Sequence, residues 1–206
     1  MRPHPPEILI DEEYAGIIYF IPAPELDLWI RKTFLDSESP LYNEEHIHLT
    51  KADFRCMWTN VPNVKQMMRV AATAEMPFIR GSAWAKARQE LQFQEWFGDV
   101  PDFLITFDAG LANEATDLQF CARVEHELYH CAQAKDKTTG SPLFNGDTDQ
   151  PKFAMKGHDV EEHVGVARRY GIHGCAGAAI AFVEALEREP EVGEAEILGV
   201  CGTCGR

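Results

Sequence analysis

The stretch "CARVEHELYHCAQAKD", residues 121–136, decides how the chain is interpreted. It places His126 and His130 four residues apart, with Glu127 directly after the first histidine. Residues four apart lie one turn apart on the same face of a helix. A helix here would let both imidazoles reach one ion at the roughly 2.0–2.1 Å that zinc–nitrogen bonds require.

Glu127 gives this pattern a chemical purpose beyond metal binding. Its carboxylate follows the first histidine, where it can reach a water on the same ion, take its proton and pass it to a leaving group. Ala122 and Gln133 flank this face, so no bulky side chain fills the space for an ion. The alternative is a helix with two surface histidines.

The preceding residues favour a strand followed by the histidine-bearing helix. "PDFLITFDAG" (101–110) has five apolar or β-branched residues after a proline and ends in Asp-Ala-Gly, which predicts a buried strand. After a turn, Thr116 or Asp117 can cap a helix that runs to about Lys135.

The remaining elements are predicted by periodicity and by capping residues. Helices are expected at 24–34, at 82–98 between Ser82 and Gly98, at 158–171 with a capping box of Asp159 and Glu162, and at 175–189; a strand is expected within 15–23 and at the start of 46–60, and a loop or small hairpin at 136–157. We see no repeat or second domain, so we expect one domain over 1–206, with a frayed start at 1–8 and a tail at 190–206.

Composition limits the function classes. The chain has 206 residues, 45% hydrophobic and 25% charged, with a formal net charge of −14. This charge argues against nucleic acid or an anionic membrane as partner, and no apolar run approaches the roughly 20 residues of a membrane span. The apolar run at 15–23 follows an acidic stretch and is a poor secretion signal. The scattered cysteines indicate a cytosolic protein with reduced thiols.

A catalytic zinc takes three protein ligands and leaves one position open. "KGHDVEEHVGVARRYGI" (156–172) supplies four candidates for the third: His158, Glu161, Glu162 and His163. Spacing favours His158, which stands just ahead of the predicted helix, without excluding the glutamates.

Two weaker metal patterns are also present. His46 and His48 would share one face of a strand and could bind an ion, although an exposed strand face is the more common explanation. Cys201 and Cys204 have the spacing of half a structural zinc site, which needs four ligands. We therefore expect one catalytic ion and no second ion at the cysteines.

"HELYH", followed some thirty residues later by "GHDVEEHVGVARRYG", resembles the putative phage metallopeptidase family and, more distantly, the SprT-like (Spartan-type) zinc proteases. The first resemblance runs from about Trp84 to Gly171, with His163 where that family has phenylalanine. The second implies that His158 is the third zinc ligand. Together they imply an α+β, zincin-like domain in which a small twisted sheet packs with the active-site helix. A strand beside the cleft commonly accepts an extended peptide, and "DFLITFD" (102–108) or its neighbour is the candidate, unless it is an ordinary interior strand.

We therefore expect a zinc-dependent metallopeptidase that acts on a protein or peptide, with no direct nucleic-acid binding, in the cytoplasm (the host cytoplasm if the chain is phage-encoded). Two alternatives remain open. One is a metal-dependent hydrolase of a nucleotide-like substrate, and the other is a non-catalytic phage interaction protein stabilised by zinc.

Overall fold

The computed structural model describes residues 1–14, 16–65, 67–160, 167–168, 172 and 177–201. The chain forms two compact units, one of Met1–Lys156 with Glu194–Arg206 and one of Gly157–Gly193. The helices of the described residues include α1 (Pro24–Ile30), α2 (Ala83–Phe97), α3 (Ala109–Glu114), α4 (Asp117–His130), α5 (Gly177–Leu186) and α6 (Glu194–Cys201), and the strands are β1 (Phe20–Pro22), β2 (Phe54–Thr59), β3 (Val64–Lys65), β4 (Met68–Arg69), β5 (Ala72–Glu75), β6 (Phe103–Asp108), β7 (Cys131–Gln133) and β8 (Phe153–Met155). The predicted α+β class is confirmed.

The larger unit is built around a four-stranded sheet in the order β1-β2-β6-β5. Strands β2 and β6 are parallel, while β1 and β5 run antiparallel to their neighbours. The buried strand predicted at 101–110 is β6, and it lies in the interior of the sheet. Its neighbour β5 forms one edge.

Helix α4 covers one face of this sheet. Phe120, Val124 and Leu128 recur every four residues along the helix and are buried. The Phe120 ring centroid lies 6.2 Å from that of Trp58 on β2 and 6.0 Å from that of Phe107 on β6. Burying each side chain of this size contributes roughly 1.5–3 kcal/mol. The packing fixes which side of α4 faces the core and leaves the His126 side outward.

Several predicted helix bounds are confirmed. Helix α2 lies between Ser82 and Gly98, whose φ of 86° is the left-handed conformation that glycine adopts most easily. The helix predicted at 24–34 is α1, continued by a π-helical turn, Arg31–Leu35. The helix predicted at 175–189 contains α5, which belongs to the smaller unit. Most of the helix predicted at 158–171, including Glu162 of its expected capping box, lies outside the described residues.

The predicted end of α4 at about Lys135 is wrong, because the helix ends at His130. The next three residues form β7, which pairs antiparallel with β8, Cys131 lying opposite Met155. Backbone hydrogen bonds to a distant strand therefore replace the next helical turn. The hairpin predicted for 136–157 is present and carries β8.

The frayed start predicted for residues 1–8 is also wrong. The Arg2 side chain is 6% exposed, and its Nε lies 2.8 Å from the Asp117 carboxylate in the first turn of α4. Its Nη2 donates to the Ala115 carbonyl at 2.7 Å, and its guanidinium lies over the Phe120 ring. A buried ion pair with additional hydrogen bonds holds the N-terminal segment on the fold.

The tail predicted for 190–206 contains a helix instead. Ile197 of α6 is 4% exposed and belongs to the hydrophobic core, and Val200 packs against that core. Burial of this apolar face orders a segment that was predicted to be a tail.

Two further features bear on the predictions. No helix among the described residues is long and apolar enough to cross a membrane. Cys56, Cys121 and Cys131 are buried and form no disulfide bond among the described residues, and burial is as predicted for the two that flank the histidine motif. Burial raises the pKa of the Cys56 thiol and of the Cys131 thiol well above the usual range.

A buried carboxyl group in α1 predicts that stability depends on pH. Asp27 is 7% exposed, and its Oδ1 accepts a hydrogen bond from the Cys56 N–H at 2.6 Å. Burial raises the pKa of Asp27 to about 6, above its usual 3.8. The folded state then binds this proton more tightly than the unfolded chain, so the group lowers stability as pH rises from about 4 to 6. At about 1.4 kcal/mol per pKa unit, the loss is about 3 kcal/mol.

Asp27→Asn keeps the acceptor oxygen and removes the charge. We expect its free energy of unfolding to increase relative to that of wild type between pH 4 and 7, as measured by urea denaturation, because the variant lacks the charge that destabilises the wild type. Asp53→Asn is the matched control. Both carboxylates lie near Arg55, Asp27 at 3.9 Å and Asp53 at 2.7 Å, but Asp53 is more exposed. A difference between Asp27→Asn and wild type that stays constant with pH would contradict the prediction.

Candidate metal centre

The position of the two histidines is set by the start of α4. Thr116 and Gln119 form a reciprocal capping box, in which the Gln119 N–H donates to Thr116 Oγ1 at 3.2 Å and the Thr116 N–H donates to Gln119 Oε1 at 3.0 Å. With the start of the helix and its apolar face fixed, residues 126 and 130 emerge together from one side of its last turns.

His126 and His130 face each other through their Nε2 atoms, which lie 3.2 Å apart. Their ring centroids are 4.9 Å apart, with the ring planes at 81°. Two nitrogens bound to one tetrahedral ion at 2.0–2.1 Å would lie roughly 3.3–3.4 Å from each other. The observed spacing fits the donor pair of such an ion.

A backbone contact fixes the orientation of the His130 ring. The Lys156 carbonyl, just after β8, lies 2.7 Å from His130 Nδ1, and the Lys156 N–H donates to the His130 carbonyl at 2.9 Å. A carbonyl oxygen only accepts, so the proton of a neutral ring must sit on Nδ1. Nε2 then carries the lone pair with which the ring could bind a metal.

The third predicted ligand lies close to this pair. Ligand nitrogens of His126, His130 and His158 all lie within 4.8 Å of one another and could hold a metal ion. His158 is two residues beyond Lys156, whose backbone is bonded to His130, so the chain itself keeps it within about 7 Å of that anchor. The competing candidates Glu161, Glu162 and His163 lie outside the described residues. That the three histidines bind an ion stays a prediction.

Glu127 lies beside the histidines, with 6% of its surface exposed. Burial raises the pKa of its carboxyl group, against the opposing effects of the His130 and Lys65 charges and of a hydrogen bond from the Ala74 backbone. A raised pKa suits a carboxylate that must accept a proton and later release it. That Glu127 acts as a general base stays a prediction.

The interpretation of His46 and His48 as a strand pair is wrong, because they lie in a 3-10 helix, Glu44–Lys51. His46 is 1% exposed, and its Nε2 lies 3.6 Å from Glu125 Oε1 on α4. His48 Nε2 lies 2.7 Å from the Cys131 carbonyl at the end of α4. Both histidines hold α4 in place and belong to no described metal cluster.

A polar network joins this 3-10 helix to α4, and sequence analysis did not find it. Asn43 Nδ2 donates to Glu125 Oε1 at 2.8 Å and to the Tyr129 hydroxyl oxygen at 3.0 Å, and the Tyr129 hydroxyl donates to Glu45. Burial and this bond to Glu45 raise the pKa of Tyr129 to about 12. The partners are more than 80 residues apart, so no local spacing could have indicated them.

The cysteine pair predicted to form no second metal site cannot be compared with the structure, since Cys204 lies outside the described residues. Cys201 is the last residue of α6.

Comparison with known proteins supports a metallopeptidase. A family model described as putative phage metallopeptidase matches residues 27–188. This match extends beyond the resemblance seen at 84–171 and includes α4 and His158. No curated protein and no solved structure matches the chain. The distant likeness to SprT-like proteases stays a prediction.

The geometry predicts about one zinc per chain, measured by elemental analysis of the purified protein. His158→Ala should weaken zinc affinity by more than about 100-fold, because losing a ligand costs more than losing the residue that orients one. His126→Ala should weaken it at least as much. Bound zinc should also raise the unfolding temperature, since ligand at 100 times its Kd stabilises by about 2.7 kcal/mol.

His163→Ala, Glu161→Gln and Glu162→Gln are the matched controls and should keep wild-type zinc affinity in a competition titration with a chromogenic chelator. Unchanged affinity in His158→Ala, with loss in one of these three, would show that the third ligand is misassigned.

Proposed function

The chain belongs to the putative phage metallopeptidase family, and from this premise we propose that it is a zinc-dependent peptidase. His126, His130 and His158 would hold the ion, and Glu127 would act as the general base. One observation carries the proposal: the ligand atoms of His126, His130 and His158 lie within 4.8 Å of one another, and the first two of these histidines share a helix with the buried carboxylate of Glu127.

The donor set fits zinc, which favours imidazole nitrogen in catalytic sites with three protein ligands. When bound, zinc polarises the carbonyl of the scissile peptide and lowers the pKa of a coordinated water towards neutrality. The residues of the chain supply the remaining chemistry.

Glu127 would accept the proton of the attacking water and deliver it to the nitrogen of the leaving amine. Its burial supports both steps, because a carboxyl group with a raised pKa holds the transferred proton long enough to pass it on. The Lys156 carbonyl would keep the His130 ring in the orientation and tautomer that binding requires.

The substrate would lie along β5. This strand is an edge of the sheet and packs against α4, so its outward backbone groups stand next to the candidate base. An extended peptide can add to such an edge as a further strand. The interior strand β6 has neighbours on both sides and offers no free edge.

Glu127→Gln tests the proposal, because it preserves shape and removes the base. We expect kcat for peptide cleavage to fall by about 10²–10⁴-fold, with zinc content and unfolding temperature unchanged. Cleavage is followed by mass spectrometry on a mixed peptide library, with the zinc-loaded full-length protein.

Glu125→Gln is the matched control, since it makes the same change two residues earlier, at a side chain that faces Asn43. It should keep kcat within about tenfold of wild type. Full activity in Glu127→Gln would exclude the mechanism. Zinc binding without any cleavage by wild type would favour the non-catalytic, zinc-stabilised alternative.

A further inference from the structure

Helix α2 has no buried face of its own. None of its 15 residues is buried, whereas α4, with 14 residues, buries Phe120, Val124 and Leu128. Helices of about 12–15 residues are marginal in water on their own, and packing of an apolar face supplies most of their stability. A surface that covers α2 would therefore stabilise it.

One side of α2 faces its own unit. Gln89 Nε2 donates to the Arg80 carbonyl at 2.7 Å, and Phe93, one turn later on the same side, is half-buried. Gln89 and Phe93 also line a cleft with Met76 and Pro77, which follow β5. This side of the helix is therefore in contact with the segment that leads into it.

The opposite side of α2 is exposed. It carries Trp84, Arg88, Leu91 and Glu95, which we call the outward stripe. Their separations of four, three and four residues keep them on one face of the helix and match the seam of a helix pair. Trp84 is 85% exposed and Leu91 is 53% exposed. Large apolar side chains that are exposed together on one face mark an interaction surface.

The charges of the outward stripe oppose the dipole of their own helix. Acidic residues stabilise the start of a helix and basic residues stabilise its end. The first turn of α2 has no acidic residue and its last turn has no basic one, while Glu95 stands in the last turn. Neither Arg88 nor Glu95 has an opposite charge three or four positions away, where a helix forms ion pairs of its own. This arrangement is unfavourable for α2 alone and favourable beside a similar helix that runs in the opposite direction.

We propose that the outward stripe is a dimer interface, which packs against the same stripe of a second copy of the chain with the two helices antiparallel. A two-fold axis beside Leu91 brings the two Leu91 side chains together. Arg88 of each copy then lies within one residue of Glu95 of the other, so the symmetry makes two ion pairs. Trp84 of each copy covers the end of the other helix at Gly98.

The charge pattern favours a second copy over other partners. A two-fold contact needs a surface that is complementary to itself. The outward stripe has this property, because Arg88 stands three residues before Leu91 and Glu95 four residues after it. An anionic lipid surface would instead repel a chain with a formal net charge of −14.

The size of the contact predicts a weak dimer. A helix of 15 residues is about 22 Å long. A contact made by one helix of this length lies at the low end of the size range of protein interfaces. The population of the dimer should therefore depend on protein concentration.

Sedimentation velocity of the full-length protein between about 1 and 200 µM tests the interface, because a weak dimer dissociates on dilution. We expect the weight-average mass of wild type to rise from that of one chain towards that of two. Arg88→Glu and Glu95→Arg should each raise the Kd of the dimer by at least about tenfold, because each places like charges together at both ion pairs. An equimolar mixture of the two variants should dimerise again, since each contact across the axis then joins opposite charges.

Lys86→Glu and Glu90→Arg are the matched controls, because they make the same changes of charge on the same helix but away from the outward stripe. Both should keep the wild-type Kd. Leu91→Glu should abolish the dimer, because it places two carboxylates beside the axis. Thermal unfolding at low concentration shows that each variant is folded, since none of these changes removes a buried side chain.

A wild-type protein that stays monomeric over the whole range would overturn the proposal, and binding of that monomer to phosphatidylcholine vesicles would assign the outward stripe to a lipid surface instead. Equal weakening of the dimer by Lys86→Glu, or a mixture of the two variants that stays monomeric, would overturn the antiparallel arrangement. These measurements use neither zinc nor cleavage, so their outcome is independent of the proposed peptidase function.

Discussion

The reciprocal hydrogen bonds between His130 and Lys156 are the constraint on which the site depends. The backbone bond ends α4 and begins the pairing of β7 with β8, and the side-chain bond selects the tautomer of the His130 ring. The same contact brings the chain back to the histidine helix two residues before His158. The end of α4, the orientation of the His130 ring and the return of the chain to this helix thus have a common physical cause.

Helix α4 has two chemically different sides. One side carries the large apolar residues that fill the core, and the other carries the paired histidines. Glu127 lies between these two sides, where burying its charge is costly. The Ala74 amide and the neighbouring positive charges offset part of that cost.

The elements that could be predicted from sequence are those with local signals. Each of these signals acts within a few residues of the feature that it determines. They are the capping residues of α4, the glycine after α2 and the apolar run of β6. The helical repeat alone predicted that the two histidines share one face of a helix. The end of α4 was missed because strand pairing across more than 20 residues overrides a continuing helical pattern. Arg2 was missed because a charged residue near a terminus ordinarily stays solvated, and its buried partner Asp117 is more than 100 residues away. The 3-10 helix was mistaken for a strand, since alternation over a few residues fits both.

The burial of the cysteines has a consequence for redox chemistry. Cys131 directly follows the last histidine, and Cys56 lies on the central strand β2, yet both thiols stay protonated because burial disfavours their charged forms. Only the thiolate reacts readily with oxidants and alkylating reagents or competes as a soft metal ligand. In the folded protein, the thiols of Cys56 and Cys131 are therefore unreactive, although Cys131 follows a histidine that could bind a metal. They react when the core opens, so the rate at which they are modified measures how often the sheet and α4 separate.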